Sequence, residues 1–281
     1  MGAITMTINQ FLEYFQYDFI IRGFWVGLLV AIIASILGHF LVLRKLSLIG
    51  DGLAHVAYLS VAISIAFFSQ SLLFNLLVST IASLLIHYLV QANKGYSDAI
   101  IAGISTTAIA LGTIIITVNP NQNVRIEQFL FGSLLLLRQA DILAVIFLAI
   151  LVVVFVGLFF QALMTMTFDQ DFATVNRLQP KRMQIILSLL TSWLVIIGIR
   201  ATGSLLISSF LIFPMLIGMN FKQGFQKTFL IGIAIAIVNF IFGFTVSLWF
   251  DLPTGSVMVM TYAFLWFLSV TTTPLYLRRK I

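Results

Sequence analysis

Asp51 and His55 stand four residues apart in the stretch GDGLAHV, Gly50 to Val56. At that spacing a carboxylate and an imidazole share one face of a helix. Such a pair can relay protons or offer ligands to a divalent cation. The run around them, 47–68, is otherwise apolar and reads as a membrane span. If that helix begins near Leu46, His55 lies about 13 Å along it, close to mid-depth, with Asp51 about one turn nearer the start. Ionisable groups at that depth are costly and usually line a pathway or pair with something. If the helix begins later, both residues sit at the interface. Position alone leaves these two readings level.

As a metal site the pair is incomplete. Protein-bound zinc usually has four ligands, and Asp51 and His55 supply two. A two-fold dimer would gather two Asp51 and two His55 into a two-oxygen, two-nitrogen set, a reading that rests on ligand arithmetic. His39 lies near the Arg44–Lys45 pair, and His87 lies near the end of the third apolar run. Both are weaker, secondary metal candidates and read first as interfacial or packed histidines.

The other acids, Glu13, Asp18, Asp98, Glu127, Asp141, Asp169, Asp171 and Asp251, fall mostly in expected loops or at span ends, where solvation would make them inert. That scarcity argues against an ion-gradient carrier, which commonly uses intramembrane carboxylate or histidine relays. An intramembrane metal-dependent enzyme is the other alternative, but H-E-x-x-H and G-x-S-x-G are absent. So is G-x-x-x-x-G-K-[ST], so a pump built on this chain needs ATP hydrolysis on another chain. Cysteine is absent, which excludes disulfides, thiolate metal sites and redox motifs.

The elements that position these residues follow from composition. The chain has 281 residues, of which 61% are hydrophobic and 9% charged, against about 25% charged in a soluble domain. It reads as one all-α, polytopic membrane domain, 1–281, with eight or nine spans. Nine apolar runs are visible, at 19–42, 47–68, 72–91, 99–118, 140–160, 185–199, 203–220, 228–250 and 256–276. Several are short for a bilayer that needs about 20 helical residues, which points to tilted, broken or re-entrant segments. The N-terminal stretch lacks the basic region and cleavage site of a signal peptide, so the first span is expected to stay in the mature protein.

The net charge of +6 is that of loops flanking spans, with no call for nucleic acid. With a cytoplasmic C-terminus, the inside set is Arg44, Lys45, Lys94, Arg177, Lys181, Arg182, Lys222, Lys227, Arg278, Arg279 and Lys280. The outside set is Arg22, Arg125, Arg138 and Arg200, and eleven against four favours this orientation. Small residues concentrate in AIIAGISTTAIALG, Ala99 to Gly112, which suits close helix packing; a helix lining a narrow path is the second reading. The longest inside loop, 161–183, offers a docking surface for an ATPase. Its middle, DQDFATVNRL, can form a short helix capped by Asp169 and ended by Pro180.

FLVLRKLSLIGDGLAHVAYLSVAI, Phe40 to Ile63, resembles the V-x-R-R-x-S-x-x-x-D-x-[LI]-[SA]-H-[VA] region of the metal-ion ABC transporter permeases. Further blocks follow in family order: FLFGSLL at Phe129–Leu135, FDQDFA at Phe168–Ala173, GSLLISSFLIFP at Gly203–Pro214, and DLPTGSVMV at Asp251–Val259. The detail is more similar to zinc permeases of Gram-positive bacteria than to the manganese branch. The chain departs from the pattern at His39, at Ser60, and at Asn176 or Arg177, where a glycine often follows the coupling alanine. The resemblance implies a homodimeric permease in the bacterial plasma membrane that carries zinc, or alternatively manganese or iron, and binds no permanent cofactor. It implies a cytoplasmic ATP-binding subunit dimer and an extracellular metal-binding lipoprotein as partners. It implies metal contacts at Asp51 and His55, and ATPase coupling through Phe168, Asp169, Asp171, Phe172 and Ala173.

Overall fold

The computed structural model describes residues 16–67, 71–119 and 137–278. The regular elements in them are helices: α1 (Asp18–Leu43), α2 (Ile49–Phe67), α3 (Leu72–Ala92), α4 (Ser97–Val118), α5 (Gln139–Phe168), α6 (Gln170–Val175), α7 (Pro180–Thr202), α8 (Ser204–Asn220), α9 (Phe225–Phe250) and α10 (Thr254–Arg278), with one 3₁₀ turn at Lys94–Tyr96. Eight are long and apolar enough to cross a membrane, and α8 is a shorter apolar helix of 17 residues. A helix satisfies its backbone internally, which is what a chain in hydrocarbon requires. The nine apolar runs each correspond to one helix.

Most residues of α1, α2 and α7 are buried, whereas α3, α4 and α10 leave most of their surface uncovered. α8 packs on α1, α9 and α10. A Cβ on Gly38 of α1 would overlap the backbone carbonyl of Leu211 in α8, so the two helices touch main chain to main chain. The α3–α7 contact is a seam of hydroxyls. Ser79 donates to the Ser192 carbonyl at 3.3 Å and Ser83 to the Ser188 carbonyl at 2.9 Å. Trp193 Nε1 donates to Thr80 Oγ1 at 2.9 Å, and Gln91 donates to Gln184 at the seam's end. Lipid offers no hydrophobic drive for helices to associate, so such bonds help set the register between them.

Several boundaries differ from the sequence expectation. The 140–160 run continues to Phe168, bending at Phe159 (φ −110°, ψ 16°), because Leu163 and Met166 beyond the bend are buried in the bundle. The expected loop 161–183 therefore shrinks to 169–179. Pro180 does not end α6; it opens α7 at a first-turn position that has no use for an amide hydrogen. The 185–199 run lengthens to 23 residues, long enough to span without breaking, and takes in Arg200. The expected small-residue helix forms as α4, but only one of its faces packs. Ile101, Ser105, Ala108 and Gly112 are buried, while Thr106 and Thr107 are exposed and donate to their own helix carbonyls at 2.8 Å.

Candidate functional site

α2 begins at Ile49, after a turn in which Ile49 N–H donates to the Leu46 carbonyl at 3.1 Å. Asp51 is therefore in the first turn, where the helix dipole favours a carboxylate. That is the later start that would put the pair at an interface. The neighbours place the pair inside the bundle. The Ser208 hydroxyl of α8, which donates to the Ser204 carbonyl at 3.2 Å, lies near the Asp51 carboxylate. A Cβ on Gly50 would stand 2.5 Å from Leu211 Cδ1, and Leu211 is at the middle of α8. The mouth of α2 thus opens beside the midpoint of another helix, away from either end of it.

His55 Nε2 lies 3.4 Å from Asp51 Oδ2, and the two side chains are 24% and 53% exposed. Two donors bound to one tetrahedral zinc at 2.0–2.1 Å are separated by about 3.3 Å, so the pair is already spaced as one edge of such a polyhedron. A six-coordinate site with longer bonds has a similar edge, so the spacing suits divalent cations without choosing among them. Among the described residues no group of three histidine, aspartate or glutamate side chains comes together. One chain therefore offers two ligands and an open side.

The structure does not bring His39 or His87 to this pair. His39 is buried in α1 with ring edges around it: Phe225 and Phe229 centroids are 4.9 and 5.0 Å away, and its Nε2 has no hydrogen-bond partner. His87 lines a small cavity, about 20 Å³, with Arg44, Gln91 and Gln184. Arg44 is thus half-buried, where the sequence placed it in an open loop.

The proposed coupling residues form one unit. Asp169 caps α6, its Oδ1 accepting from Phe172 N–H at 2.8 Å, as the sequence predicts. Phe168 is 66% and Phe172 58% exposed, whereas Ala173 is fully buried. Asp171 is exposed in the first turn of α6. Phe168 also meets Phe225 at 5.5 Å, which ties the segment to the aromatic cluster around His39. Phe129–Leu135, Arg125, Glu13, Glu127, Arg279 and Lys280 lie outside the described residues.

Two groups escaped the sequence reading. Ser208 gave no signal among many membrane serines. Asp141, expected to be solvated, is 7% exposed and pairs with Arg200 at 2.8 Å. It also accepts from Arg138 N–H at 3.1 Å in a capping box. Its burial depends on the packing of α5 against α7, which no local pattern announces.

The chain matches the ABC 3 transport family over residues 16–273. It is 25% identical over 255 residues to the high-affinity zinc uptake system membrane protein ZnuB of Buchnera aphidicola, covering 90% of this chain and 97% of that one. It is 26% identical over 263 residues to the manganese transport system membrane protein MntC of Listeria monocytogenes, covering 92% of each. It is 27% identical over 255 residues to the chelated iron transport system membrane protein YfeC of Yersinia pestis, covering 90% and 85%. In fold it superposes on PsaBC from Streptococcus pneumoniae with a TM-score of 0.80, at 22% identity, over 94% of this chain and 95% of that one. The motif blocks and the helix bundle agree with these matches, and the chain belongs to the ABC 3 transport family.

Proposed function

We propose that this chain is the membrane-spanning permease of an ATP-driven importer of a divalent metal ion, with zinc as the first candidate. The observation that carries the reading is the Asp51–His55 pair, spaced as two ligands and half-open beside the middle of α8. A second copy related by a two-fold axis supplies the other two ligands. The oxygens and nitrogens of that set hold a cation firmly enough to accept it and weakly enough to release it. Manganese or iron is the second reading, because relatives named for those metals match as well as those named for zinc.

In this reading ATP is hydrolysed by a separate cytoplasmic subunit dimer, which docks on Phe168, Phe172 and their neighbours. An extracellular metal-binding lipoprotein delivers the ion. The excess of basic residues at one end of the bundle supports a cytoplasmic C-terminus in a bacterial plasma membrane. The test is radiolabelled zinc and manganese uptake in cells expressing Asp51→Asn or His55→Ala at matched levels. Near-complete loss of uptake with normal membrane insertion is expected. Uptake like wild type from both variants rejects the site, and a loss confined to manganese transfers the assignment to that metal.

A further inference from the structure

The α6 end of the bundle carries a groove of about 430 Å³ between the bent half of α5 and the start of α7. Phe155, Phe159 and Ala162 form one wall, and Met183 and Ile186 the other, with Arg177 and Arg182 also lining it. The bend at Phe159 sits in this wall. The groove continues an uncovered apolar face of α5, where Phe147, Ile150, Val154 and Leu158 are all exposed. That face is built to meet hydrocarbon.

The two arginines have no acidic partner among the described residues. Arg177 is also held in an unusual backbone conformation. It follows α6 at φ 57°, while Leu178 N–H bonds back to the Ala173 carbonyl at 3.0 Å, the closing pattern of a helix that ordinarily places glycine there. An arginine in that position strains the backbone, and its local hydrogen bonds do not need the guanidinium. Arg182 lies in the first turn of α7, and Ile186 follows one turn further in on the same face. Cations at the end of a span with apolar walls leading inward match the order of charge and hydrocarbon in an anionic phospholipid.

We propose that this groove binds an anionic phospholipid, its phosphate between Arg177 and Arg182 and an acyl chain along Phe155, Phe159 and Ala162. Because Arg177 stands two residues past the end of α6, the bound headgroup fixes the end of the segment that presents Phe172. The site is independent of the metal reading, since lipid binding is measured with no metal present.

The test is native mass spectrometry of the purified full-length chain, titrated with phosphatidylglycerol or phosphatidylcholine, and with phosphatidylglycerol in competition with inorganic phosphate. Wild type is expected to retain phosphatidylglycerol over phosphatidylcholine by roughly tenfold, and the Arg177→Gln/Arg182→Gln double variant to lose that preference. Ala162→Phe fills the groove, leaves both cations in place, and is expected to lose the lipid as well. Arg177→Gly relieves the backbone and is expected to weaken lipid binding with no fall in thermal stability, which separates the ligand role from a structural one. Lys181→Gln, outside the groove, is expected to change nothing. Equal retention of the two lipids overturns the proposal, as does displacement of the lipid by phosphate alone or an unaltered preference in Ala162→Phe. Loss of ATPase co-purification in Ala162→Phe with lipid retained would make the groove a protein dock and also overturn it.

Discussion

Asp141–Arg200 and Asp51–His55 are both acid–base pairs within an apolar bundle, and they are opposite in design. In the first, a short 2.8 Å contact joins two helices, the carboxylate is buried, and a backbone amide uses one of its oxygens. In the second, the partners are on one helix, 3.4 Å apart, with Asp51 half exposed and one hydroxyl nearby. A buried pair with both carboxylate oxygens engaged serves as a joint between helices. A pair on one helix joins no helices by itself, and in the proposed reading its free lone pairs serve a cation that arrives and leaves.

The strongest way to break this contrast is to exchange the expected phenotypes. Asp51→Asn and His55→Ala should abolish zinc uptake yet leave thermal unfolding of the purified protein within about 1 kcal/mol of wild type, since neither side chain is fully buried. Arg200→Met should instead destabilise the bundle by about 3–5 kcal/mol, because it strands a buried carboxylate. Expression level and melting temperature report that loss. Asp141→Leu combined with Arg200→Met should recover most of it, since the buried charge is gone. If Arg200→Met transports poorly at full stability, Asp141–Arg200 belongs to the transport path and the contrast fails.

A smaller effect is expected at Ser208. Ser208→Ala removes a hydroxyl near Asp51 and should reduce uptake several-fold at unchanged stability, about the weight of one hydrogen bond to a charged group. No change in uptake at limiting zinc would remove Ser208 from the site. At the coupling segment the same logic separates neighbours. Phe172→Asp should impair co-purification of the ATPase without altering melting, whereas Ala173→Asp places a charge at a fully buried position and should lower stability as well. Intact assembly in Phe172→Asp would free α6 from the coupling role.

The mildest probe is topological. The chain has no cysteine, so single cysteines at Asn119 and Gln179 can be labelled without background. Reagent from outside should reach Asn119 and leave Gln179 unmarked. The reverse pattern would invert the orientation.

The helices were legible because hydrocarbon forces long apolar runs to satisfy their backbone locally. The cap at Asp169 was legible because a capping residue and the amide it serves are three positions apart. Register between distant helices was not. The place of Asp51 in the bundle is set by where α2 meets α8, through Gly50 and Leu211, and the same contact brings Ser208 near. Arg44 read as a loop cation because the cavity that takes it is formed by α3 and α7. Asp141 read as solvated because its partner lies on another helix, and Arg177 read as one more inside cation and a departure from a glycine.

The hydroxyl seam between α3 and α7 imposes an order on biogenesis. Its partners are 93 to 113 residues apart in sequence, and a ribosome adding about 5–20 residues per second takes roughly 5–20 s to bridge that distance. During that interval α3 is in the membrane without its mate. Its hydroxyls can turn to their own helix, as Thr80 does with the Leu76 carbonyl at 2.7 Å. The seam therefore closes late, and Ser79 and Ser83 exchange bonds within α3 for bonds to α7 only once α7 has been made.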